Sequence, residues 1–369
     1  SNSYIYLYGD MDMAEKLKWL DEEYLGKYDR KEIDSEIRIQ KKFKEPIERE
    51  IFYSVSESES LDHATYLSIN TQAGNELSPK EYVAFQILEY VLLDAPGASL
   101  KKALLDAGIG DDIMGGYEYG ILQPYFSVIA KGARTARKEE FVSIIRNCLQ
   151  DIVKNGIDKK AVLSGINYME FRYREADFGQ FPKGLMYGLD IMGSWLYDDE
   201  NAFSQVKLLE IYGQLKIAVN EGYFENLIQK WLLDNTHGAI LTLVPKRGLA
   251  AQREKELADR LEAYRSSLSD EQLEEMVRKT KALEAYQESE ERPEDLECIP
   301  MLKRSDIRKE VNGFSNEELQ VENSLFLYQD VCTNGIGYVN VMFEIKDMAV
   351  EKVHYLGLLK SVLGYVDTE

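Results

Sequence analysis

Three histidines, His63, His237 and His354, are spread over the 369 residues. Imidazole is the side chain best suited to hold a metal or move a proton near neutral pH. A helix-borne metal site sets two of them within one turn, as in H-E-x-x-H. The residues four positions beyond the three histidines are Leu67, Leu241 and Leu358, so no such pair exists. His63 opens a strand-like run and His237 sits at a turn before another. Both are expected to be surface or hydrogen-bonded side chains rather than ligands. His354 falls with Val350 and Leu358 at helical spacing and is expected to flank a core face.

Other groupings are weighed in the same way. "MEFRYREADFG" brings Glu170, Arg172, Arg174, Glu175 and Asp177 together. A carboxylate pair can do acid–base work. Glu170 and Arg174, four residues apart, instead read as an exposed ion pair on a helix. "IGDDIMGGYEYG" has glycines and acids but lacks the Lys and Ser/Thr of a phosphate loop. It reads as a turn before a strand at Tyr125. "AKGARTARK" is the compact basic cluster and reads as a solvated loop. Met186, Leu189, Met192 and Trp195 read as core packing rather than a peptide groove. Cys148, Cys298 and Cys332 are odd in number and never in C-x-x-C spacing. A disulfide framework or cysteine zinc site is not expected, and a reducing cytoplasm is the expected home.

Net charge bounds the partners. At −21 the chain is too acidic to favour nucleic acid or an anionic membrane surface, while basic peptides are permitted. Hydrophobic content of 44% is enough for cores. No apolar run reads as approaching the roughly 18 residues of a bilayer span, and no signal peptide is read at the N-terminus.

The elements that must position these residues alternate in type. "SYIYLY" reads as a strand and "MAEKLKWLDEEYL" as a helix capped by Asp12. A charged connector follows. From Glu48, "REIFYSVSES" and "ATYLSINTQ" are two strands around a polar turn. "LSPKEYVAFQILEYVLLD" is a helix with Ser78 at N-cap, Pro79 at N1 and Glu81 at N3. "SLKKALLDAGIG" is a shorter helix, "YFSVIAKGA" a strand, and "KEEFVSIIRNCLQDIVKNGI" an amphipathic helix stopped by Gly156. Two more helical stretches and the strand "AILTLVPKRG" complete an α+β pattern: an antiparallel sheet with helices packed on one face. Leu249 to Glu291 is charged, with sparse apolar residues and a capping box at Ser269 and Gln272, and reads as a helical hairpin. Pro293 and Pro300 are expected to stop it. "SLFLYQDVCTNGIGYVNVMFEI" reads as two strands turning at "CTNG", and "MAVEKVHYLGLLKSVLG" as a helix.

Two pairs of segments look alike. Ser3 to Leu25 matches Gly238 to Tyr264, and Ala64 to Leu93 matches Ile336 to Leu359, each a strand, a polar break and a helix. Such spacings suit a duplicated domain. The chain reads as cut at both ends from something longer, with Ser1 and Asn2 as a cloning remnant.

Three stretches carry a family resemblance: "FPKGLMYGLDIMGSWLYDDEN", "LEEMVRKTKALEAYQESEERPEDLECIPMLKRSDI" and "TNGIGYVNVMFEI". Together they resemble the pitrilysin-type zinc metallopeptidases, in the branch that contains presequence protease. The resemblance implies four related α+β domains in two halves closing on a peptide chamber. It also implies zinc on H-x-x-E-H in the first domain, with the Glu as general base. This chain has no H-x-x-E-H, so no catalytic residue and no metal ligand is carried over, and its substrate-binding residues stay unknown. On that reading residues 1–47 end the first domain and form a connector. Residues 48–248 are the second, non-catalytic domain, 249–304 the linker hairpin, and 305–369 the start of the third domain. The expected function is chamber wall and hinge of a zinc-dependent metalloendopeptidase that degrades unfolded peptides. Zinc belongs to the full-length protein and none is expected here. Its partners would be peptide substrates and the remaining domains of the same polypeptide, with no nucleic acid and no membrane. The alternative is a non-catalytic peptide-binding or structural subunit of the same fold.

Overall fold

The computed structural model describes residues 3–29, 31–299, 301–307, 309–310, 313, 316–364 and 366. Ser1, Asn2 and Pro300, each given a reading above, lie outside them. The chain divides into two compact units, Ser1–Phe314 and Ser315–Glu369.

Five strands build the sheet of the first unit: β1 (Ile47–Val55), β2 (Thr65–Gln72), β3 (Asp112–Glu118), β4 (Tyr125–Ala133) and β5 (Gly238–Arg247). Their spatial order is β1-β5-β2-β4-β3. All neighbours are antiparallel except β1 and β5, which run parallel from Ile47↔Ala239 to Val55↔Arg247. The sheet is therefore mostly, not wholly, antiparallel. The first two strands do not pair with each other, because β5 inserts between them.

Strand β3 corrects the reading of its segment as a turn. Its two glycines hide the strand pattern, yet packing requires one of them. A Cβ on Gly115 would strike the Ser127 carbonyl oxygen and come 2.8 Å from Leu93 Cδ1. The absence of a side chain lets β3 lie close against the helical layer.

Before the sheet lies α1 (Met13–Glu23), whose Glu15 N–H donates to Asp12 at 3.0 Å. Helices α2 (Pro79–Glu89) and α3 (Ser99–Asp106) follow β2, with a π-helical turn at Tyr90–Asp94 after α2. Pro79 is at N1 as expected, but the Ser78 side chain makes no cap bond. Glu81 pairs instead with Lys230 at 3.2 Å. After β4 come α4 (Lys138–Asn155), α5 (Lys159–Glu175), α6 (Lys183–Trp195), α7 (Leu209–Ala218) and α8 (Tyr223–Leu227). A second π-helical turn, Ile228–Leu233, leads to β5.

The core takes one side of the strands: Leu67 from β2, Ile113 and Tyr117 from β3, and Phe126, Val128 and Ala130 from β4. They pack with Phe85, Leu88, Leu92, Phe141 and Phe224 of the helical layer. By length and composition the helical stretch Pro79–Asp106 is apolar enough to cross a membrane, which the sequence reading did not anticipate. Its apolar residues Val83, Phe85, Ile87, Leu88 and Leu92 are instead the interior of this layer.

Residues 3–8 form no strand. A strand needs a neighbour to bond, and none of the described strands lies beside this run. Its aromatic rings rest on α6. Tyr4 meets Trp195 edge-on at 4.9 Å, and Tyr6 and Tyr8 cover Gly188 and Gly184. Those two glycines are one helical turn apart, so they make a shallow track for the rings.

Helices α9 (Leu249–Ser267) and α10 (Asp270–Gln287) form where expected, with the capping box at Ser269 and Gln272 in place. They do not pack side by side as a closed hairpin. Leu257, Leu261, Met276, Val277 and Leu283 are all exposed, so the stripe is too thin to hold two charged helices together. Helix α10 ends at Gln287, before Pro293, which instead starts the short α11 (Pro293–Leu296).

In the second unit the strands are β6 (Glu317–Val321) and β7 (Ser324–Tyr328), a hairpin turning at Glu322 and Asn323. The expected turn at "CTNG" is not the strand connection, and residues 336–345 form no strand. Helix α12 (Val353–Val362) follows. The helix half of each proposed repeat is present, while the strand half is missing from Ser3–Tyr8 and Ile336–Ile345.

Candidate functional site

The histidines do not converge. His63 is exposed at φ 56°, and an Arg134 N–H donates to its Nε2 at 2.7 Å. His237 is buried, and its Nδ1 accepts the Phe43 N–H at 3.1 Å. That bond puts the proton of the neutral ring on Nε2. Burial, then the positive charge of Lys42, holds its pKa below the usual histidine value. His354 stacks on Tyr355 at 4.0 Å and is exposed on α12, with Leu358 exposed beside it. The expected core face is absent there, since no residue of α12 is buried. Among the described residues no group of three His, Cys, Asp or Glu can hold a metal. The donor set of this chain does not fit zinc, and no step is routed through a metal.

The other sequence candidates resolve into structural contacts. Glu170 accepts from Arg174 at 2.8 Å and from Lys216 of α7 at 2.6 Å. This is a three-member network, not an exposed pair, because Glu170 is 17% exposed. Lys216 first, with Arg174 assisting, lowers its pKa. The basic cluster is also engaged rather than free. Arg134 pairs with Asp62 at 3.0 Å, Arg137 with Glu140 and the Ala107 and Gly108 carbonyls, and Lys138 with Glu48 at 2.7 Å. On α6, Ile191 is buried but Leu189 is exposed, so the expected core packing holds for only part of that group.

Sequence reasoning missed three acids. Burial pushes Glu76 and Glu89 each up to about 7 and raises Asp190. Glu76 is 1% exposed. Gln205 Nε2 donates to its backbone oxygen at 2.7 Å and to Oε1 at 3.3 Å, while Oε2 has no partner. An acid near neutral pH suits proton transfer, but no substrate reaches a side chain so enclosed. Glu89 could have been noticed as a lone charge inside "FQILEYVLL". Glu76, in a polar loop, gave no such signal.

What remains open is the side of the sheet away from the core. Register places Tyr66, Leu243 and Ile51 in one row across β2, β5 and β1. The next row holds Met114, Ile129, Ser68, Leu241 and Arg49. A third carries Ser127 and Asn70, whose side chains bond at 2.5 Å, and Asn70 donates on to Ser68 at 2.7 Å. Tyr53 and Tyr66 meet edge-on at 5.8 Å. None of these residues joins the core cluster. The face is apolar and hydroxylic, suited to contact an extended chain rather than to cleave one.

At the end of this face the connector before β1 is clamped to the sheet. Gln123 and Gln40 exchange bonds at 2.6 and 3.2 Å. Thr236 Oγ1 donates to the Phe43 carbonyl at 2.6 Å.

Residues 1–168 match the family model described as Peptidase M16 inactive domain, and residues 243–369 match the model of the segment associated with subfamily C of the M16 peptidases. The chain belongs to the peptidase M16 family. This M16 chain is 38% identical over its whole length to Protein HypA of Clostridium perfringens, covering 38% of that protein. It is 31% identical over 359 residues to presequence protease 1, chloroplastic/mitochondrial, of Arabidopsis thaliana, 95% of this chain and 33% of that one. A solved protease from Helicobacter pylori superposes with a TM-score of 0.42 at 14% identity, over 64% of this chain and 53% of that one. The M16 chain thus spans less than two fifths of the curated relatives it matches.

Proposed function

We propose that this chain is the non-catalytic chamber wall and inter-half hinge of a zinc-dependent metalloendopeptidase that degrades unfolded peptides in the cytoplasm. The observation that carries the reading is the inactive-domain match over residues 1–168 followed by the subfamily-associated match over 243–369. The sheet face fits a wall: it offers apolar and hydroxyl contacts and no acid–base pair. Residues 48–248 would supply that wall and 249–304 the linker. The hydrolytic step belongs to a zinc-bearing domain elsewhere in the polypeptide, which is the partner of this chain along with the remaining domains.

The test is cleavage of an unstructured peptide by this chain and by the complete parent polypeptide, each with and without chelator. Chelator-sensitive cleavage by the complete polypeptide alone is expected. An inactive or chelator-indifferent complete polypeptide would overturn the reading and favour a peptide-binding or structural subunit.

A further inference from the structure

The clamp leaves a cavity of about 350 Å³ between the connector, the end of β2 and the start of β5. We propose that this cavity binds a small carboxylate, and that its ligand is the free C-terminal carboxylate of a peptide. The choice of a peptide rests on the peptidase reading above; the choice of a carboxylate rests on the cavity itself.

Charge makes the first part of the case. The chain carries −21 overall, yet none of the ten residues lining this cavity is acidic. Lys41, Lys42 and Lys230 line it, with His237, Gln123 and Trp231. Lys230 is answered by Glu81. Lys41 and Lys42 have no carboxylate at ion-pair distance among the described residues. On so acidic a chain, two unanswered cations beside a cavity make a local well for an anion.

Hydrogen bonding makes the second part. His237 Nδ1 is occupied by the Phe43 N–H, which leaves Nε2–H as a donor. The Trp231 Nε1–H is buried and meets no protein acceptor. A carboxylate brings two acceptor oxygens to a lining rich in donors.

Size and donor type narrow the ligand. The cavity is at the small end of ligand sites, room for a terminal residue but not a long segment. No arginine lines it, so the planar fork that favours phosphate is missing. Trp231 supplies an aromatic wall, and Lys230 Nζ sits 4.3 Å above its ring.

The experiment titrates this chain by calorimetry with one short unstructured peptide as free acid, the same peptide amidated, and inorganic phosphate. The free acid is expected to bind and the amide to bind roughly tenfold more weakly or not at all. Lys42→Gln, an exposed change that spares the core, should weaken the free acid by roughly fivefold. Binding should also fall with salt. An NMR titration should show the His237 pKa rising when the peptide is bound, because a negative charge then opposes Lys42. The proposal is overturned by equal binding of acid and amide, by tighter binding of phosphate, by no binding at all, or by an indifferent Lys42→Gln. None of these outcomes bears on chelator-sensitive cleavage by the complete polypeptide, so the two readings fail separately.

Discussion

Glu76 shows how a single side chain can set a pH dependence without doing chemistry. Its folded pKa of about 7 lies above the ordinary carboxylate value. The folded state therefore holds this proton across the interval between the two values, and stability falls as pH rises from about 4.5 to 7. Each unit of displacement is worth about 1.4 kcal/mol. Glu89 adds a similar slope over the same window. Glu170, Glu140 and Asp62 are displaced downward and lose their contribution only as pH drops below the usual carboxylate range. Urea unfolding of Glu76→Gln is thus expected to show a larger advantage over the parent at pH 8 than at pH 5. Pairing it with Glu89→Gln should flatten the remaining slope. An advantage of the same size at both pH values would mean that Glu76 does not titrate in this window. The sequence shows none of this, because burial of a loop carboxylate is a property of what packs over it. Glu170 was legible as an ion-pair partner from its spacing to Arg174. Lys216 was not, since only the packing of α7 on α5 brings it there.

At the scale of elements, periodicity marked α2 to α6, β2, β4 and β5, because their own residues dictate a buried side. It failed where a partner decides the state. The run at Tyr4 to Tyr8 has strand-forming residues but no strand to join, so its rings settle on α6. Strand β3 was hidden by glycines whose value lies in what they avoid. Gly115→Ala should destabilise the first unit by about 1–3 kcal/mol through overpacking against Leu93, measured by thermal unfolding. The adjacent Gly116→Ala, with only the Glu89 carboxylate near its Cβ position, should cost less. The reverse order would contradict the close approach described for β3. Helices α9 and α10 are held by caps and little else, so limited proteolysis should cut them before any element of the core. A first cut within residues 79–152 would contradict that ranking. Of the candidate site, the register of the open sheet face could be anticipated only in part. Alternation in β2 marks two sides, but insertion of β5 between β1 and β2 is a tertiary fact.

For the whole molecule, composition excluded more than it identified. The acidic balance and scattered histidines argued against nucleic acid and against a local metal site, while three stretches pointed to the family that the comparisons place it in. What the sequence could not convey is the order in which the sheet becomes whole. β1 touches the sheet only through β5, and the whole helical layer is encoded between Val55 and Gly238. At synthesis rates of about 5–20 residues per second, β1 waits on the order of ten to forty seconds for its neighbour. Throughout that delay Ile51, Phe52 and Tyr53 form an unpaired apolar strand, while β2 to β4 can already condense with their helices. The ribosome-bound chain is then most vulnerable at its earliest strand. Chaperone capture during translation should map to residues 47–55 and cease once Arg247 has cleared the exit tunnel.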